Sequence, residues 1–396
     1  MFRFISAGES HGKGLTVIVD GFPSGVPVSE EFVQKEMARR MAGFGRGGRM
    51  IIEKDRADFT SGVRKGITLG TPISILIRNR DFKNWKKLMS PFGSPVSEGD
   101  KVKNPRPGHA DLSGVLKRGR DDVRDILERA SARETASRVA AGALAKTLLF
   151  QFGISLLSRV VSVGKVVDRG SPGKEGFPLE SVDGDSLRML NPVTSEAGRA
   201  LISGAEKEGD TVGGKFEVIA MGVPPGIGDY SHWDKRLDGR AAKALMSIPA
   251  IKAVEIGEGV LSARRGGKKV HDRIYSGKGS EFYKGKYRLP FHRKSNNAGG
   301  IEGGMSNGEP IVLRCYMKPI PSLTVPLGTV SIDDYSSVTA VRERSDVCAV
   351  PAASIVGEAM LSIVLVGSLI EKFGGDCLED MKGSYERYLE RICLRI

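Results

Sequence analysis

The stretch that most restricts the architecture of this chain is residues 352–373. Ile355, Val356, Met360, Leu361, Ile363, Val364, Leu365, Val366, Leu369 and Ile370 leave it almost no polar side. A helix that is apolar nearly all round has to be buried. At about 20 residues it is also long enough to cross a bilayer. Glu358 near its middle, three serines (Ser354, Ser362, Ser368) and no second stretch of this kind point instead to the central helix of a core.

A chain of 396 residues, 40% of them hydrophobic, is long enough for one large core or two domains. Its 51 glycines exceed the usual share of about 7% and follow no short period, so they mark tight turns and backbone close to ligands. Sixty Lys and Arg against 47 Asp and Glu give a net charge of +13, which favours anionic partners. No helix-turn-helix signature and no interleaving of aromatic with basic residues accompany that charge. A nucleic-acid reading therefore rests on bulk charge alone. The four cysteines are widely spaced without a C-x-x-C pair, which gives a disulfide framework or zinc site no support. The N-terminus lacks the long apolar core of a signal peptide, and a reducing, cytoplasmic setting fits.

Taken in order, residues 2–6 and 15–20 read as strands flanking Gly8-Glu9-Ser10-His11-Gly12, a bend in which Glu9 is an acidic neighbour able to tune His11. A helix from Ser29 to about residue 40 runs into a glycine-rich loop carrying Arg39, Arg40, Arg46 and Arg49. That loop follows a helix, so it is not a dinucleotide fingerprint, and exposed-loop and anion-binding readings stand side by side. Strands are predicted at 58–63 and 73–77, followed by a long polar connection to residue 106 in which Trp85 and Phe92 suggest partial packing. Ser131-Ala132-Arg133-Glu134 fits the S-x-x-E capping box. Behind it Ala136, Val139, Ala140, Ala143, Leu144, Thr147 and Leu148 predict a helix over 132–151, its alanine-rich face open to close approach. Such a helix start, with Arg129, Arg133 and His109 nearby, suits a phosphate as well as it suits a plain core helix. Further strands are predicted at 153–167, 211–224, 253–256 and 311–317, and helices at 196–208 and 237–247. Residues 168–187 are turn-rich, and 259–285 read as a mobile loop.

Six motifs then stand in order: Gly8-Glu9-Ser10-His11-Gly12; Pro105-Arg106-Pro107-Gly108-His109-Ala110-Asp111; Ser131-Ala132-Arg133-Glu134-Thr135 with Arg138-Val139-Ala140-Ala141-Gly142; Ser295-Asn296-Asn297-Ala298-Gly299-Gly300; Lys318-Pro319-Ile320-Pro321-Ser322; and Arg344-Ser345-Asp346 leading to Glu358-Ala359-Met360. Together they resemble the chorismate synthase family over essentially the whole chain. The resemblance implies an α+β fold, a β-α-β sandwich with helices layered between antiparallel β-sheets, as one domain over 1–396. It implies a cytoplasmic homotetramer that turns 5-enolpyruvylshikimate 3-phosphate into chorismate and phosphate by anti-1,4-elimination. This step of aromatic amino acid biosynthesis in the shikimate pathway needs reduced FMN without net redox change.

By the same resemblance His11 is the acid near the departing phosphate, His109 protonates the reduced flavin, and Asp346 assists removal of the C6 proton. Arg49, Arg106 and Arg133 match positions that hold the substrate's carboxylates and phosphate, for which a guanidinium fork is suited. FMN contacts carry over to Arg129, Ala130, Ser131, Pro249, Ala250, Gly303, Lys318, Pro319, Ile320, Pro321, Ser322 and Arg344. Arg40 and Arg46 match positions assigned to a nicotinamide cofactor. Ala130 stands where Ser is common and Pro249 where Asn or Gln is common, which removes a side-chain hydrogen bond to FMN at each. With no reductase domain visible, a monofunctional enzyme is expected, using FMN reduced elsewhere, with NADPH as an external source. The rival is a basic RNA- or polyanion-binding protein without catalysis, which would bind nucleic acid in a strongly salt-dependent way.

Overall fold

Two antiparallel sheets enclose the apolar helix anticipated from residues 352–373. In this computed structural model, which describes residues 2–48, 52–170 and 179–395, that helix spans Val350–Phe373. Every residue from 350 to 362 is buried, Glu358 included. It is the one helix among the described residues long and apolar enough to cross a membrane, and most of its surface is covered by protein.

Strands Arg3–Ala7, Gly14–Asp20, Ile73–Arg78 and Asp58–Ser61 form the first sheet, in that spatial order. Alternation decides its inner face: Leu15, Val17, Val19, Ile73, Ile75 and Ile77 are buried, whereas Ile5 and Ile18, directly opposite each other, are exposed. The second sheet runs Ile251–Ile256, Ile311–Met317, Gly214–Met221, Ser155–Val163, Val166–Val167, again wholly antiparallel. Between the sheets lie Glu30–Met41, Thr135–Gln151 and Val350–Phe373. This is the expected α+β sandwich. One continuous set of buried apolar side chains reaches from Leu15 to Leu389.

The helices meet where side chains are small. A Cβ on Gly142 would stand 2.3 Å from that of Ala359, so Thr135–Gln151 and Val350–Phe373 touch almost backbone to backbone. On its other side the long helix rests on the second sheet, with Gly357 against Phe216 and Val218. The core also holds charge. Glu358 accepts from Lys146 (2.5 Å), both Nη atoms of Arg39 (2.8 and 3.0 Å), the Ser158 hydroxyl (2.6 Å) and Arg188 (3.4 Å). Burial alone would raise its pKa, but the Lys146, Arg39 and Arg188 charges hold the carboxyl well below the usual range. An uncompensated ion there would be far costlier than the paired one.

Several local expectations change. The capping box does not close: the Ser131 hydroxyl accepts from Arg133 N (3.3 Å), while Glu134 pairs forward with Arg138 (2.9 Å). Arg138, one turn on, gives the Glu134 carboxylate a charged partner that a backbone N–H cannot match. Residues Ala132–Glu134 consequently form a 3-10 turn, and the α-helix begins at Thr135. Of the two aromatic residues noted in the long connection, Trp85 packs and Phe92 is 88% exposed. Residues 259–285 carry two single-turn helices and the short strands Ile274–Ser276 and Glu281–Phe282 instead of a plain loop. Part of the 168–187 stretch, residues 171–178, lies outside the described residues, as does Arg49.

Candidate active site

A cavity of about 480 Å³ opens at the N-terminal end of the long helix, where Ala349, Ala352, Ala353 and Val356 form part of its wall. That volume is in the range of small-molecule sites. His11 enters it from the bend between the first two strands and is 7% exposed. The carboxylate that engages His11 is Glu128, not the adjacent Glu9. Glu128 comes from helix Arg124–Ala130, its Oε1 2.8 Å from Nδ1 and its Oε2 accepting from the His11 N–H at 2.7 Å. A carboxylate on Nδ1 keeps the proton there and leaves Nε2 as the atom available to a ligand. Burial pushes the Glu128 carboxyl up, but the His11 bonds and the Arg124 charge bring it below its ordinary value. Trp85 stacks on the imidazole with ring centroids 4.0 Å apart, and Arg124 sits over the indole at 5.0 Å.

A second histidine–carboxylate pair faces the same space. Asp111, the first residue of helix Asp111–Arg118, accepts from Arg106 Nε (2.9 Å) and Arg106 N (3.1 Å) and bonds His109 Nδ1 (2.5 Å). Burial opposes ionisation, yet the His109 and Arg106 bonds lower the Asp111 pKa to about 2. Arg106 also donates to the Ser322 hydroxyl at 2.6 Å, tying this loop to the 318–322 segment.

Arginines form the polar wall. Arg40, at the end of helix Glu30–Met41, and Arg133, in the 3-10 turn, both grip buried Asp55, Arg40 at 2.5 Å. Burial would raise the Asp55 pKa, and the two guanidinium charges lower it instead. Arg40 Nε and Arg133 Nη2 are buried without a hydrogen-bond acceptor among the described residues, with the Glu53 carboxylate 3.9 Å from Nη2. Buried donors left this way are costly unless a ligand completes them. Arg46 donates to Asp346 (2.5 Å), and the Gly47 N–H donates to the same carboxylate (2.7 Å).

The remaining wall is apolar: Ile248, Pro249, Ala250, Met317, Ile320 and Pro321, with Lys318 at its edge. Ala250 holds a left-handed φ of 67° and its carbonyl accepts from Lys318 N at 3.0 Å, so a strained residue sets this loop. A flat wall of this kind beside buried guanidinium donors fits a planar ring with an anionic tail, as FMN has.

Of the residues assigned from sequence, His11, His109, Asp346, Arg106, Arg133, Ala130, Ser131, Pro249, Ala250, Lys318, Ile320, Pro321, Ser322, Arg344, Arg40 and Arg46 share this cavity. Arg129 turns away to the carbonyls of Ser6 (2.9 Å) and Gly8 (3.2 Å). Gly303 lies in the Ile301–Glu302 and Met305–Ser306 hairpin, and neither it nor Pro319 is on the lining. Sequence reasoning did not single out Asp55, Asn79, Asp111, Glu128 or Trp85 as site residues. For Asp111 a signal existed, since it stands two residues from His109 in the same motif. Glu128 shows only the helical i, i+4 spacing to Arg124, and Asp55 and Asn79 meet Arg133 solely through the fold.

The profile of a family described as "Chorismate synthase" matches residues 2–370. A chorismate synthase of Aquifex aeolicus (strain VF5) is 50% identical over 398 aligned residues, covering 98% of each chain. One from Syntrophomonas wolfei is 49% identical, covering 99% of this chain and 98% of the relative. A solved structure, "Crystal Structure of Chorismate Synthase", superposes with a TM-score of 0.77 at 42% identity, over 99% of this chain and 98% of that one.

Proposed function

The chain belongs to the chorismate synthase family, and on that premise we propose how its cavity carries out the family's reaction. The reaction is a carbon–oxygen lyase step on 5-enolpyruvylshikimate 3-phosphate. The C3–O bond breaks and phosphate leaves, the ring C1=C2 pair moves to C2=C3, and the C6–H pair becomes the new C1=C6 bond as the proton departs. Nothing is oxidised or reduced overall, and the products are chorismate and phosphate. The competing reading, a non-catalytic RNA binder, has no support from the family comparisons.

The observation that carries the proposal is the convergence of two carboxylate-backed histidines with five arginines (Arg40, Arg46, Arg106, Arg133 and Arg344) on one cavity. Negative charge builds on the phosphate oxygen as its bond breaks, so a proton donor and fixed cations lower the barrier. His11 Nε2 supplies the proton, with Glu128 stabilising the charged imidazole. Arg40, Arg106 and Arg133 hold the substrate's phosphate and carboxylates, and Arg49 is assigned with them by family resemblance alone. Asp346 assists removal of the C6 proton, its charge balanced by Arg46. His109, held at Nδ1 by Asp111, is the second group at the cavity able to carry a proton.

FMN would lie along Ala130, Ser131, Pro249, Ala250, Lys318, Ile320, Pro321 and Ser322, near Arg344. Bound in its reduced form, it would supply an electron-rich ring to the elimination. Arg40 and Arg46 face Asp55 and Asp346, so we assign them to the anion site and leave NADPH as an outside source of reducing equivalents. A single domain over 1–396, a homotetramer and a cytoplasmic setting complete the proposal, the domain supported by the continuous core and the other two by family resemblance.

An assay with two arms tests the cofactor reading. With oxygen excluded, FMN reduced by dithionite supports chorismate release, while FMN with NADPH alone does not. Product in the second arm overturns the monofunctional assignment. No product in either arm, from folded protein, overturns the function.

A further inference from the structure

Asn79 is 5% exposed, does not line the cavity, and has no part in the chemistry described above. It follows the strand Ile73–Arg78 and is fixed by its own N–H, which donates to the Lys13 carbonyl at 3.1 Å. Its side-chain nitrogen lies 3.0 Å from the Glu9 carbonyl, 3.1 Å from that of Ser10 and 2.8 Å from that of Gly12. These carbonyls belong to the bend that presents His11. Its side-chain oxygen accepts from Arg133 Nε at 2.9 Å. Carbonyls on one side and a guanidinium on the other decide which end of the amide is which.

We propose that Asn79 is a positioning residue that fixes the distance between the acid His11 and the anion-holding Arg133. The inference rests on the roles given to those two residues under Proposed function. A carboxamide is the short side chain that combines two N–H donors with an acceptor oxygen. Donors hold the acceptor-rich bend, and the acceptor holds a guanidinium whose other nitrogens serve Asp55 and the cavity. Glu128 grips the bend through the Ser10 and His11 N–H groups, Ser131 bonds the Ser10 hydroxyl and Arg129 the Gly8 carbonyl, and Asn79 alone ties the bend to Arg133 through one side chain. Because proton transfer to a leaving phosphate depends steeply on placement, a loosened bend costs rate before it costs binding.

The Asn79→Asp variant separates the two halves of the role. Asp keeps an acceptor for Arg133 and removes every donor to the bend. The expected result is a kcat lower by about 10–10²-fold, with the Kd for 5-enolpyruvylshikimate 3-phosphate changed by about 2-fold or less. Asn79→Ser, too short to reach both sides, should impair kcat and Kd together. Wild-type kcat in Asn79→Asp, or equal losses in kcat and affinity, overturns the inference. Should Asn79→Asp fail to fold, the cycle with His11→Ala decides. Once His11 is gone, Asn79→Ser should lower kcat by no more than about 3-fold further, and a full additive loss overturns the proposal. An inactive wild type refutes the proposed function, and an unimpaired His11→Ala refutes the role of His11 on which this inference rests. An active wild type with an impaired His11→Ala and a normal Asn79→Asp refutes this inference alone.

Discussion

Glu128 reaches His11 twice, through Nδ1 at 2.8 Å and through the backbone N–H at 2.7 Å, so one buried carboxylate fixes both the ring and the bend that carries it. The tautomer this imposes leaves Nε2 for the substrate. Removing the imidazole removes the acid while leaving Glu128 paired with Arg124. His11→Ala, and separately His109→Ala, should lower the rate of chorismate formation by about 10²–10⁴-fold. Steady-state rates together with unfolding curves check this. Wild-type rates in either variant would exclude that histidine from the mechanism.

Arg133 has a guanidinium nitrogen in the cavity wall with no protein acceptor among the described residues, so its loss should be felt first in binding. Charged hydrogen bonds of this kind contribute about 1.5–3 kcal/mol, and Arg133→Ala should weaken substrate binding by about 10–10²-fold. Isothermal titration in the absence of turnover measures it directly. An unchanged Kd would contradict the assignment.

The architecture was legible largely because burial leaves periodic marks. The all-round apolar run at 352–373, the alternation at 73–77 and the strand at 311–317 all appear where hydrophobic patterning put them. The capping box was misread because Arg138, at i+4, outcompetes a backbone N–H for the Glu134 carboxylate. Phe92 was misread because an isolated aromatic side chain does not reveal whether anything packs on it. At the site, the motif residues were visible, and their partners were not. Asp55 meets Arg40 and Arg133, and Glu128 meets His11 across 117 positions, through tertiary folding that leaves no periodic mark. Glu9 was the natural choice two residues from His11, yet Glu128 takes both His11 Nδ1 and its backbone N–H.

Glu358 shows what the central helix needs to stay buried. Its carboxylate pairs with Lys146, Arg39 and Arg188 in the middle of the core and shares these cations with Glu36 and Asp183. Glu358→Ala leaves those three cations with only Glu36 and Asp183 to balance them and should cost about 3–5 kcal/mol of stability, measured by urea unfolding. A loss below about 1 kcal/mol would mean that the network is solvated or dispensable.

Asp111 makes a pH-dependent contribution of definite sign. Its carboxyl is lowered from 3.8 to about 2 in the fold. A group with a depressed folded pKa stabilises fully above its unfolded value, and that stability is lost as pH falls through the folded value. The stability gap between the wild type and Asp111→Asn should therefore be constant near neutral pH and close between about pH 4 and pH 2. Unfolding midpoints of both proteins across that range test it. A gap that persists unchanged to pH 2 would show that Asp111 is not held by charge in the fold.

The most direct test of the whole account counts products. Wild-type protein, 5-enolpyruvylshikimate 3-phosphate and dithionite-reduced FMN are mixed without oxygen, and chorismate and phosphate are measured in the same samples. The account requires the two to appear in equal amounts over many turnovers, with no net consumption of reduced flavin. Folded protein that releases neither, or that consumes reduced flavin in proportion to product, would contradict it.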